Sequence, residues 1–197
     1  MPSTSTRREK LERRQAAALL DLANRTARRE SLLDFTCDSV PGYQAGWLHH
    51  ELTAALERFS AAVAAGESPR LAIFVPPRAG KSQLSSICLP AWHIGRHPGH
   101  KVMVVSYSAS LAQEFSYRCR DLVREEWFRE AFPECEISDD RGGVVNWSTT
   151  AGGGYIPVGV DGSITGKGAN VLVIDDVYKN EQQARSVAAR ESVYDRY

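Results

Sequence analysis

Apolar residues recur along this chain with two different periods, and the switches between them mark its elements. From Arg7 to Glu30 the sequence is rich in Arg, Ala, Leu and Glu and lacks Gly and Pro, so intrinsic propensity favours a helix. Asp38-Ser-Val-Pro-Gly reads as a turn, and a second helix is expected from about Ala45 to Ala65, closed by Gly66 with Pro69 shortly after. Arg70-Leu-Ala-Ile-Phe-Val is a short apolar run of the kind that forms a buried strand. A helical pattern follows from Ser82 to Ile94, where Pro90 must kink or end it. Lys101-Val-Met-Val-Val-Ser-Tyr is the next buried strand, after which Leu111, Phe115, Leu122 and Trp127 recur at helical spacing. Strand, helix, strand, helix is the order that builds a parallel α/β sheet.

The stretch from Gly142 to Gly168 is different in kind. Glycine pairs and triplets punctuate two β-rich runs, Val144 to Thr149 and Tyr155 to Val160, which read as short antiparallel strands inserted before the next core strand. That core strand, Asn170-Val-Leu-Val-Ile-Asp-Asp, is the most apolar in the chain and ends in two carboxylates. A polar helix from about Glu181 to Tyr194 closes the sequence.

Length and charge narrow this picture. The 197 residues suit one domain of ordinary size, here 37–197, preceded by a basic helical segment, 1–36. Lys and Arg total 24 and Asp and Glu total 24, so no global positive field draws the chain to nucleic acid and any such contact is a local patch. Between Arg7 and Glu30, Arg7, Arg8, Lys10, Arg13, Arg14, Arg25, Arg28 and Arg29 outnumber Glu9, Glu12, Asp21 and Glu30. That run either touches DNA phosphates or a partner subunit, or is a solvated helix face. Cys37, Cys88, Cys119 and Cys135 have neither zinc-site spacing nor the density of a disulfide scaffold. With no secretory signal and no membrane-length apolar run, a soluble, cytoplasmic chain is expected, with no membrane partner.

The chemistry concentrates in two places. Pro76-Pro-Arg-Ala-Gly-Lys-Ser lies between a predicted strand and a predicted helix, the context that makes Gly-Lys-Ser a phosphate cradle. There the backbone N–H groups of Pro77 to Ser82, proline excepted, and the positive end of the helix converge on phosphates. Gly80 permits close approach, Lys81 bridges the β- and γ-phosphates, and Ser82 ligates Mg²⁺. The glycine that usually opens this motif is replaced by Val75, so the loop is a variant. The second place is Asp175-Asp176 at the end of its strand, matching a Walker B segment. Asp175 is the candidate for holding Mg²⁺, and Asp176, where Glu is commoner, the candidate for orienting the attacking water. The fold class that follows is α/β, a P-loop NTPase of the ASCE/RecA-like kind, a three-layer sandwich around a mostly parallel sheet.

Tyr43-Gln44, Pro76-Pro-Arg-Ala-Gly-Lys-Ser, Pro90-Ala-Trp-His-Ile-Gly, Ser106-Tyr-Ser-Ala-Ser-Leu-Ala and Val173-Ile-Asp-Asp together resemble the large terminase subunit of tailed phages, in order and in spacing, from about Pro41 to Tyr197. The resemblance implies that Tyr43 and Gln44 recognise adenine, an amide pairing with the base while an aromatic ring packs on it. It implies that Arg78 and Lys81 act on the nucleotide, Arg78 sensing or stabilising the γ-phosphate. Lys167, in Thr165-Gly-Lys-Gly, is a candidate finger toward a neighbouring subunit's nucleotide, with a solvated loop lysine as the alternative. ATP and Mg²⁺ are the implied cofactors. Double-stranded DNA, the portal protein, the small terminase subunit and a homo-oligomeric ring are the implied partners.

The family continues with a further core strand bearing a coupling motif and then a metal-dependent nuclease. The sequence up to Tyr197 is therefore expected to be the partial ATPase region, its sheet incomplete at the C-terminus, without nuclease activity. The leading function is an ATPase motor that drives DNA into a capsid. The alternatives are another nucleic-acid-remodelling ATPase, or a non-catalytic nucleotide-binding or assembly module.

Overall fold

A computed structural model describes residues 4–139, 145–162 and 168–194. The chain opens with α1 (Thr4–Glu30), α2 (Leu32–Ser39) and α3 (Trp47–Ala64). Residues 8–20 of α1 are exposed, and only its C-terminal end docks. There Arg28 pairs with Asp38 at 2.6 Å and lies over the Trp127 ring, and the Trp92 indole donates to the Arg28 carbonyl at 3.0 Å. Helix α2, where the sequence reading has no element, starts at Ser31, whose hydroxyl accepts from the Asp34 amide at 3.1 Å. It sinks Leu32 and Phe35 into the main core.

Beyond residues 76–82, a π-helical stretch (Gln83–Cys88) runs directly into α4 (Leu89–Arg96). Pro90 does not end the helix. It sits in the first turn of α4, after a widened turn in which the Leu89 amide reaches the Leu84 carbonyl, five residues back. Then come β1 (Lys101–Ser106), α5 (Ala109–Arg124), α6 (Glu126–Ala131), β2 (Trp147–Ser148), β3 (Gly154–Gly159), β4 (Val171–Ile174), α7 (Glu181–Arg185) and α8 (Val187–Tyr194). The predicted terminal helix is broken at Ser186, whose backbone is extended.

The sheet has the order β2-β3-β1-β4. β1 pairs in parallel with β3 on one side and with β4 on the other, and β2 pairs antiparallel with β3. Two expectations change here. The run Tyr155 to Val160 does pair antiparallel with its neighbour, but it is no insertion. β3 is a core strand, with Tyr155 fully buried and hydrogen-bonded through its hydroxyl to the Ser86 carbonyl at 2.9 Å. Its entry needs glycine: a Cβ on Gly153 would stand 2.3 Å from the Pro98 carbonyl oxygen.

The second correction concerns residues 70–75. They form no strand, and Phe74 is 93% exposed where a buried strand was expected. A strand is stable only when its amides and carbonyls find partners. The nearest strand, β4, stays an edge, with Leu172 and Ile174 about half exposed. Residues 70–74 and 172–174 instead face each other across a cavity of about 640 Å³.

Candidate functional site

β1 leads to β3 on one side and β4 on the other, so the strand order reverses beside the C-terminal end of β1. Open α/β sheets bind ligands at such a point. Two backbone bonds carry the ladder past β4: the Asp175 amide donates to the Val105 carbonyl, and the Tyr107 amide to the Asp176 carbonyl, each at 2.9 Å. Asp175 is thereby fixed at the switch point with only 2% of its side chain exposed.

The 76–82 segment meets it there. Gly80 adopts φ +74°, a turn that favours glycine, and its carbonyl accepts from the Leu84 amide at 3.0 Å as the helix begins. Lys81 and Ser82 fall in that first turn. The Lys81 ammonium donates to Asp175 Oδ1 at 2.5 Å, and the Ser86 hydroxyl donates to Oδ2 at 2.8 Å. Burial alone would raise the Asp175 pKa. Hydrogen bonds from Lys81, Ser82 and Ser86, together with the Lys81 charge, outweigh burial and hold the carboxyl below its ordinary value. The π-helical stretch matters here, because it carries Ser86 and is braced from behind by Tyr155.

Arg78 (φ +65°) and Asp176 (φ +54°) are the two non-glycine residues with positive φ among those described, and they flank the Lys81–Asp175 pair. Both side chains are exposed. Such outliers concentrate at functional sites. Pro77 is exposed and Ala79 half-buried within the same loop.

Tyr43 is half-buried, and its hydroxyl is buried without a hydrogen-bond partner among the described residues. That hydroxyl lies 3.7 Å from where a Gly80 Cβ would be, so the structure brings Tyr43 to the 76–82 segment. Gln44 is exposed. Lys167 lies outside the described residues. Ser86 and His49 are neighbours of the site that the sequence reading missed. A serine four residues beyond Ser82 carries no motif of its own, and His49 sits in the helix after Tyr43-Gln44, outside any recognised pattern.

Among the described residues no group of three or more His, Cys, Asp or Glu side chains is placed to hold a metal. Asp175 and Ser82 offer two hard oxygen donors within reach of each other, a set that suits Mg²⁺, which retains most of its waters. Lys81 on Asp175 shows that the position already draws a cation. Among the described residues no helix is long and apolar enough to cross a membrane.

Compared with known proteins, residues 72–197 match the model of the family described as terminase large subunit, T4likevirus-type, N-terminal. No curated protein matches the chain.

Proposed function

The chain belongs to the T4-like terminase large-subunit family, whose role is phage DNA packaging, and from that premise we propose that it is an ATP-hydrolysing motor module driving double-stranded DNA into the capsid. The observation that carries the reading is the Lys81–Asp175 approach at 2.5 Å between residues 94 apart in sequence, at the switch point of the sheet. A lysine and a carboxylate from separate loops, meeting beside Ser82, are the parts that phosphoryl transfer needs.

In this scheme the loop amides and Lys81 hold the triphosphate. Lys81 rests on Asp175 until the phosphates give its ammonium a second anionic partner. Ser82 and Asp175 would hold Mg²⁺, which when bound neutralises phosphate charge and fixes the oxygens in place. Arg78 adds a guanidinium for the charge that develops on the γ-phosphoryl group. Asp176 accepts a hydrogen bond from the attacking water. As the new P–O bond forms and the bond to the ADP oxygen breaks, the water's proton leaves toward that carboxylate. Tyr43 and Gln44 take the adenine. The DNA, portal, small-subunit and ring partners belong to the same reading. The exposed basic run of α1 is a local surface for one of them.

Steady-state phosphate release tests this. The wild-type chain should release phosphate from ATP with Mg²⁺, Lys81→Ala and Asp175→Ala should fall to background, and DNA should raise the wild-type rate. One observation favours a second reading, a nucleotide-binding assembly module without turnover: residues 70–75, which lead into the loop, are not anchored in the sheet. ATP binding with no phosphate release would select it.

A further inference from the structure

His49 has no part in the scheme above, yet its ring is fixed beside the phosphate loop. It stands in the first turn of α3, where the Gly46 amide donates to its Nδ1 at 2.9 Å. A nitrogen that accepts a hydrogen bond has its lone pair free, so the ring proton is on Nε2. That Nε2 lies 3.7 Å from the position of a Gly80 Cβ, the same distance as the Tyr43 hydroxyl, and no hydrogen-bond partner for it occurs among the described residues. The Tyr43 and His49 rings meet edge to face with centroids 5.3 Å apart. Two side chains with O–H or N–H to give thus converge on one loop residue, and that residue has no side chain to fill the space between them.

The identity of the ligand follows from the donor set. Nε2–H can only donate, and the polar atom that shares its approach to Gly80 is the Tyr43 hydroxyl, at the same 3.7 Å. Such a site suits a ligand atom that only accepts, as a phosphate oxygen does, better than a base edge that needs a donor and an acceptor together. We propose that His49 is a nucleotide-contacting residue whose Nε2–H donates to a phosphate oxygen of the nucleotide in the loop, with Tyr43 packed against the ring to hold its orientation. This rests on the reading that residues 76–82 bind nucleotide phosphates, and it adds a residue to that site.

The test is equilibrium binding of ATP, ADP and adenosine to the full chain. His49→Phe keeps a ring against Tyr43 and removes the donor, His49→Gln restores an N–H donor, and Lys81→Ala reports on the parent reading. A hydrogen bond to a charged group corresponds to about tenfold in affinity. His49→Phe should weaken ATP and ADP by about that factor and leave adenosine unchanged, and His49→Gln should recover most of the loss. A ¹⁵N-detected spectrum of the wild-type imidazole needs no variant: the Nε2 resonance should move on adding ADP and stay put with adenosine. If Lys81→Ala loses ATP while His49→Phe binds it normally, or if Nε2 is unmoved by ADP that does bind, His49 is only the cap of α3. Equal weakening of ATP and adenosine by His49→Phe also overturns the phosphate contact. If ATP binding ignores Lys81, or the wild type binds none, the parent reading falls with it.

Discussion

Acid should weaken this protein before its carboxylates protonate, and the reason is His93. The ring is fully buried in α4, with Nδ1 2.7 Å from the Ser60 hydroxyl and Nε2 3.0 Å from His100 Nδ1. Burial first, then the neighbouring His97, His100 and Arg96, push its pKa from 6.5 down to about 3. The folded state therefore holds the neutral ring where the unfolded chain binds a proton. Stability is intact above about pH 6.5 and falls with pH until the folded value near 3 is reached. Each pH unit in that window removes about 1.4 kcal/mol, so about 2 kcal/mol is gone at pH 5. That is a large share of the roughly 5–15 kcal/mol of a typical domain. His97 is shifted in the same direction by burial and by His100 and Arg96, and adds to the loss. Asp175 does not contribute between pH 7 and 5. Its lowered pKa gives stability that is lost only below its ordinary value of 3.8. Urea denaturation at pH 7, 6 and 5 should show the midpoint dropping with an unchanged slope of free energy on urea. His93→Leu starts less stable, having stranded the Ser60 hydroxyl, but its midpoint should vary much less with pH. A wild-type midpoint that is flat across those values, or a His93→Leu chain with the same pH slope, would refute the argument.

Two further outcomes follow from packing. A methyl group on Gly95 would stand 2.8 Å from the Phe132 ring and 3.0 Å from Phe128, rings that are themselves locked against Phe35, so Gly95→Ala should cost about 1–3 kcal/mol, read as a lower thermal midpoint. Leu172→Lys places a charge on the unpaired β4 edge, and sedimentation should show less self-association with stability altered by no more than about 0.5 kcal/mol; an unchanged profile counts against the edge as the sticky surface.

Much of the fold was legible because local pattern and tertiary environment agree. The run 101–106 is a strand at the sheet centre, and the helical spacing of Leu111, Phe115 and Leu122 corresponds to α5. Lys81, Ser82 and Asp175 could be singled out because each residue type sits at the end of an apolar run in the order the chemistry needs. What was not legible depends on partners that sequence does not display. Residues 70–75 have the composition of a strand but lack a neighbour to pair with. α2 is hidden because Asp38 to Gly42 marks a turn without showing that a helix precedes it. The π-helical stretch answers Pro90 by re-registering the hydrogen bonds, a local solution that periodicity cannot reveal. Ser86 and His49 reach the site only through that widened turn and through the first turn of α3.

The left-handed backbone at Arg78 and Asp176 has a thermodynamic consequence. For residues bearing a Cβ this conformation costs roughly 1–2 kcal/mol each, and glycine would adopt it nearly free. Both positions are solvent-facing, so neither side chain recovers the cost by burial. The chain thus sits below the stability its own backbone would allow. The deficit is confined to two residues that lie close to the partly buried Lys81–Asp175 pair in sequence.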